Sequence, residues 1–117
     1  MSTEIVYCAH SHLTKYMSQV IFKHVLSKGY IPIDPFIIFP SEQLDYFGYD
    51  NNRRLDLDLT ILSKCDRLWI FGQEKPPFTF GVNMEYEWWK KNRSIRDIEI
   101  HQWSDSLVNQ SLSIDNE

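Results

Sequence analysis

The sequence has no glycine-rich loop of either nucleotide-binding kind. Neither the Gly-x-x-x-x-Gly-Lys-Ser/Thr pattern nor Gly-x-Gly-x-x-Gly occurs, which excludes phosphate binding through such a loop. Its two cysteines, Cys8 and Cys65, stand in separate apolar contexts and form neither a Cys-x-x-Cys pair nor a Cys/His metal spacing. They read as reduced core thiols, as in a cytosolic protein. The histidines at 10, 12, 24 and 101 show no ligand spacing, so no metal and no other cofactor is expected. An excess of basic charge is also missing. Twelve Lys and Arg against sixteen Asp and Glu give a net charge of -4, which argues against a DNA or RNA polymer or a membrane surface as partner. No run of about 18 apolar residues and no basic-plus-apolar N-terminal signal appears, so neither membrane spanning nor secretion is expected and the location reads as cytoplasmic. No Ser/His/Asp or Cys/His arrangement can be placed, and there is no internal repeat.

What is present is enough apolar material, 43% of 117 residues with 15% aromatic, for one packed core. The domain is expected over 1–100, followed by a polar tail over 101–117 with one short helical turn at 106–110. Glu4-Ile5-Val6-Tyr7-Cys8-Ala9 reads as a buried strand ended by His10-Ser11-His12. From Leu13 the apolar residues Met17, Val20, Ile21 and Val25 recur at three and four, a helix with Ser11 as candidate N-cap and Gly29 as its stop. Residues 30–33 read as a short strand, and Pro32 suits a sheet edge. Residues 34–39 read as extended, and 40–52 as a loop long enough to serve as a lid or binding loop. A helix over 53–64 follows, capped by Asn51 or Asn52. Residues 66–72 form a strong buried strand ending in glycine, 73–78 a loop, 79–92 a helix and 95–100 the last strand. This alternation predicts an α/β protein, with a four- to five-stranded parallel sheet covered by helices on both faces. Ligands in such sheets bind beyond the carboxyl ends of the strands.

Two carboxylates are out of place. At 100° per residue the helix over 79–92 has an apolar arc of Met84, Trp88, Trp89, Val82 and Tyr86, and Glu85 lies inside it while Glu87 faces water. A carboxylate facing the core is expensive unless it is paired, hydrogen-bonded or used. In the preceding helix Asp58 falls within the arc of Leu55, Leu57, Leu59, Ile61, Leu62 and Cys65, whereas Asp56 centres the polar face. An ion pair to Arg54, four residues earlier, is the structural alternative for Asp58. For Glu85 it is bonding to Trp indole N–H or backbone groups. Two core-facing carboxylates of unequal environment on successive helices are what glycosyl-bond chemistry uses: one attacks the anomeric carbon and the other manages a proton or orients the sugar. Gly81 and Thr79 precede Glu85 at a helix N-terminus, whose free N–H groups favour anions. The Trp88-Trp89 pair reads as core plus a half-exposed neighbour, or as a subunit contact.

Three features together resemble the nucleoside 2-deoxyribosyltransferase-like superfamily, and are closest in motif to its 2'-deoxynucleoside 5'-monophosphate N-hydrolases. They are Val6-Tyr7-Cys8-Ala9 followed by a polar turn, Asp58 eight residues before Asp66, and Thr79-x-Gly81-Val82-x-x-Glu85 after the central strand. The resemblance runs over about 4–92. It implies a flavodoxin-like three-layer sandwich, a homodimer or higher homo-oligomer whose sites are completed at the interface, and Glu85 as the nucleophile that forms a deoxyribosyl-enzyme intermediate. It implies that Asp58 holds the sugar or assists departure of the base, and that Tyr7, His10, Ser11, Arg54, Thr79 and Gly81 contact substrate. A hydroxyl at position 79 matches the hydrolases, in which it contacts phosphate. His10-Ser11-His12 departs from the glycine-rich turn usual in that superfamily. The function expected is therefore cleavage or transfer at the N-glycosidic bond of a small-molecule 2'-deoxynucleoside or deoxynucleotide. The alternatives are a catalytically silent nucleotide-binding or sensing module of the same fold, and an interaction protein that uses Trp88-Trp89.

Overall fold

A computed structural model describes residues 3–11 and 16–102. His12, the expected helix start at Leu13 and the expected turn at 106–110 lie outside the described residues. The elements run β1 Ile5–Ala9, α1 Ser18–Ser27, β2 Ile31–Ile33, α2 Pro35–Ile38, α3 Ser41–Tyr46, α4 Asn51–Leu62, β3 Arg67–Phe71, α5 Phe80–Asn92 and β4 Ile98–His101. The four strands form one parallel sheet in the order β2-β1-β3-β4. That is the strand order of a flavodoxin-like sheet, the fold that the resemblance implied.

The two central strands read as near-continuous apolar runs because both of their faces are covered. Val6 and Cys8 of β1 and Trp69 and Phe71 of β3 join Met17, Val20, Ile21 and Val25 in one core cluster, the α1 side. The alternate residues Tyr7, Ala9, Leu68 and Ile70 join Leu62, Val82 and Trp89 in the other, the α4 and α5 side. Helices on both faces of the sheet make three layers. Cys8 and Cys65 belong to opposite clusters and are free thiols. β1 and β3 are held in register at their start by Asp66, whose carboxylate accepts from the Ile5 N–H (2.8 Å) and whose own N–H donates to the Ile5 carbonyl (2.8 Å).

Several local choices follow from single residues. Gly29 has φ +90 and ends α1 in a Schellman arrangement, its N–H donating to Leu26 O and that of Tyr30 to Val25 O. β2 is an edge strand, and Ile31 N–H donates to Glu4 O (3.0 Å). The next residue, Pro32, therefore has its missing donor on the outward side. Several expectations are corrected. The stretch expected to be extended over 34–39 contains α2, because Asp34 accepts from Phe36 N–H as an N-cap and Pro35 presets φ at the first helical position. The loop expected over 40–52 contains α3, too short to show a periodicity. The cap of α4 is also corrected: Asp50, in extended conformation, accepts from Arg53 N–H at 2.9 Å, in place of Asn51 or Asn52. The last strand is shorter than expected, because Ile95–Asp97 forms a 3-10 turn capped by Ser94. At the far end of the molecule Arg93 donates to the carbonyls of Cys65 (3.1 Å) and Ser63 (2.6 Å), joining the end of α5 to the end of α4.

Among the described residues no helix is long and apolar enough to cross a membrane. Asp50→Ala is expected to cost about 1 kcal/mol of stability in urea unfolding, while Asn51→Ala and Asn52→Ala each change it by less than about 0.5 kcal/mol.

Candidate functional site

The strand order reverses between β1 and β3, and beyond their carboxyl ends lies the position where open parallel sheets bind ligands. His10 and Ser11 follow β1, Asp34 to Phe36 follow β2, and Gly72, at φ +79, turns the chain away after β3. A positive φ of that size is readily adopted only by glycine. The chain returns at Thr79 to start α5. These ends enclose a cavity of about 310 Å³ whose lining includes His10, Ser11, Asp58, Thr79, Gly81 and Glu85. Six of the eight site positions expected from sequence therefore meet in one cleft.

Glu85 sits at its floor. α5 buries Val82, Glu85 and Trp89, a three-then-four spacing that turns all of them to the sheet. Met84 is 37% exposed, so the buried stripe is rotated from the arc read in the sequence. Glu87 is exposed and pairs with Lys90. Glu85 is 5% exposed, and the hydroxyl of Tyr7, itself fully buried on the same face of β1, donates to its Oε2. Burial pushes the Glu85 carboxyl up to about 8, with the negative charges of Asp58 and Asp34 acting in the same direction and the Tyr7 hydrogen bond acting against them. The Tyr7 hydroxyl is held well above its ordinary value, chiefly by burial and then by the Glu85 charge, so it remains a donor. Asp58 is pushed up to about 6, first by desolvation and then by Asp34. At neutral pH the cleft thus holds a protonated Glu85 beside a largely ionised Asp58.

The ion pair that spacing offered to Asp58 is not among the bonds Arg54 makes. Arg54 donates from Nε to Tyr49 O (3.0 Å) and from its guanidinium to Asp45. It lines an adjoining cavity of about 420 Å³, which shares Pro35, Phe36, Asp58 and Gly81 with the first. Tyr7, expected to touch substrate, is not among the residues lining either cavity, and its hydroxyl donates to Glu85. Thr79 is the N-cap residue of α5 but makes no side-chain cap bond. Its Oγ1 accepts from Gln73 Nε2 (3.0 Å), and its N–H donates to Gln73 Oε1 (2.8 Å). The first-turn N–H groups of α5 are thus left uncapped by Thr79, beside the cleft.

Sequence reasoning missed Asp34, Phe36 and Gln73. Asp34, 3% exposed, has Oδ2 2.7 Å from His10 Nε2 while Oδ1 caps α2. The His10 side chain is fully buried, with Ser18 Oγ at 3.4 Å from Nε2 and the Phe36 ring centroid at 4.8 Å. His10 therefore acts as a strut that ties the end of β1 to the α2 wall carrying Phe36. An Asp-Pro step before an apolar run is the available signal for such a cap. Gln73 left no signal, since a loop amide that grips its partner six residues on follows no period. Trp89 is fully buried, its Nε1 donating to Ser94 O (3.0 Å), and Trp88 is half-buried, so the two do not form one surface patch. Among the described residues no group of three His, Cys, Asp or Glu is placed to hold a metal ion.

Residues 8–98 match a family described as a domain of unknown function, DUF7768, and the chain belongs to that family. The matched span contains Asp34, Asp58, Thr79, Gly81 and Glu85. No curated protein and no solved structure matches the chain.

An acid raised from its usual value near 4.5 to about 8 binds its proton more tightly folded than unfolded. The stability it contributes is fully present below the lower value and is lost as pH rises through the upper one. Relative to Glu85→Gln, which cannot ionise, the wild-type protein should lose up to about 1.4 kcal/mol per pH unit between those limits. Paired thermal or urea unfolding from pH 5 to 8 measures this; parallel curves would show that Glu85 ionises as freely folded as unfolded. Gly81 does not need its glycine for backbone reasons, because its φ is not positive and a Cβ added there meets nothing within 4 Å. Gly81→Ala should leave the melting temperature unchanged or raise it by a few degrees in calorimetry, since helical Gly costs about 0.5–1 kcal/mol relative to Ala.

Proposed function

We propose that the cleft cleaves or transfers at the N-glycosidic bond of a 2'-deoxynucleoside or its 5'-monophosphate, with Glu85 as nucleophile. The observation that carries this is the opening of Glu85 and Asp58 into one cavity, with Tyr7 aimed at the Glu85 carboxylate. A Glu85 oxygen bonds to C1' as the C1'–N bond breaks, the electron pair leaves with the base, and the base takes up a proton. Water, or a second base, then displaces Glu85 from C1' and restores the carboxylate. Tyr7 donates to that carboxylate and favours its charged form. Asp58, ionised first, orients the sugar and stabilises the positive charge that develops on it. In this reading a phosphate is met by the uncapped start of α5 and the Thr79 hydroxyl. The reading includes a homodimer, which light scattering of the full chain would measure.

Incubation with deoxynucleosides and deoxynucleoside monophosphates should release free base, detected by chromatography. Glu85→Ala should abolish release, and Asp58→Asn should lower it by roughly 10²–10⁴. The nucleophile must be ionised, so kcat/KM should rise as pH increases toward about 8. No release from any of these substrates, or release untouched by Glu85→Ala, would end the proposal.

A second reading, a ligand-binding module without chemistry, is supported by the protonated state of Glu85 at neutral pH. It is distinguished by nucleoside binding that survives Glu85→Gln with no turnover in the wild-type protein.

A further inference from the structure

The cleft does not stop at Asp58. The 420 Å³ cavity beyond it is larger than the one that holds Glu85, and the two share Pro35, Phe36, Asp58 and Gly81. They therefore adjoin, with Phe36 as a common wall and Gly81, which has no side chain, at the junction. An alanine methyl at Gly81 would enter open space. Alanine is the better helix former, so the glycine keeps clearance there at a cost in helix stability. Taken alone, the first cavity is near the lower end of the size range of small-molecule sites, whereas the two together lie well within it.

The chemistry of the second cavity differs from that of the first. Phe36, Phe39, Leu44, Leu55 and Phe80 supply its apolar wall, beside the polar Ser41 and Asn51. Its one cationic lining residue among those described, Arg54, is already engaged by Asp45 and the Tyr49 carbonyl. Asp58 at the junction repels anions. A second phosphate, and hence a dinucleotide, does not suit it. An uncharged, flat or apolar group does.

We infer that the second cavity receives an apolar substituent carried on the base, so that the cleft is built for deoxynucleosides with an enlarged base; this rests on the N-glycosidic reading of the first cavity. The sugar spans Glu85 and Asp58, the base passes between Phe36 and Gly81, and its substituent lies among Phe39, Leu44 and Leu55. The Asp34–His10 strut fixes the Phe36 wall and so the width of the passage.

The test is calorimetric titration of the full chain bearing Glu85→Gln, to prevent turnover, with deoxyadenosine and with N6-benzyl-deoxyadenosine. The benzyl compound should bind about tenfold tighter or more, as expected from burying one aromatic ring. Leu44→Trp, which fills the second cavity, should erase that advantage and leave deoxyadenosine affinity within about threefold. Leu55→Trp on the longer α4 repeats the measurement if the first variant fails to fold. Deoxyadenosine binding with no gain from the benzyl group overturns this inference alone, as does a tryptophan that weakens both compounds equally. Binding of neither compound overturns the nucleoside reading of the first cavity and this inference with it.

Discussion

The hydrogen bond from the Tyr7 hydroxyl to Glu85 is the constraint on which the rest of the cleft depends. A carboxylate with 5% of its surface exposed is tolerable in a core only if a donor reaches it. Tyr7 reaches it because strand pleating puts residues 7 and 9 on the α5 side, and because Val82 and Trp89 anchor α5 against that same side on either side of Glu85. Shifting α5 by one residue would exchange Glu85 for Met84 or Tyr86 and leave the tyrosine hydroxyl facing apolar atoms. The register of the helix on the sheet and the position of the acid are therefore one choice. Fixing them buries a carboxyl group, which costs stability.

Much of this was legible because periodicity is a strong signal over long elements. The angular argument separated Asp58 from Asp56, and the structure has Asp58 half-buried at the junction of both cavities and Asp56 exposed. It placed Glu85 in the buried arc even though the bulk of Trp88 pulled the apparent centre of that arc away from the true stripe. Periodicity failed where elements were short or partners distant in sequence. α2 spans four residues and α3 six, fewer than two turns each. Asp34, between two prolines, looked like a break in a strand, yet it is the cap of one element and the partner of another. Arg54 lies four residues from Asp58, but the chain before α4 folds back to offer Asp45 and the Tyr49 carbonyl instead. Tertiary geometry overrode local spacing.

The electrostatics of the cleft explain why its two carboxylates behave differently. Asp34 raises Asp58, both of them raise Glu85, and no Lys or Arg is among the described residues lining the first cavity. Desolvation is greatest at Glu85, so that group holds its proton longest, while Asp58, nearer solvent, gives its proton up first. A ligand that brings hydrogen-bond donors, such as sugar hydroxyls or exocyclic amines, relieves this crowding of acceptors. A phosphate adds to it and must rely on the uncapped start of α5 for compensation.

Pro32 bears on assembly as well as on strand geometry. β2 has only three residues, and the donor missing from Pro32 faces outward. A foreign strand arriving at that edge meets a gap in the ladder where it needs an N–H, and a short run on either side of it. The same proline that interrupts the strand pattern in the sequence thus makes this side of the sheet a poor template. Edge-to-edge stacking of copies, the route from a parallel sheet to a fibre, is blunted there without any contribution from the cleft.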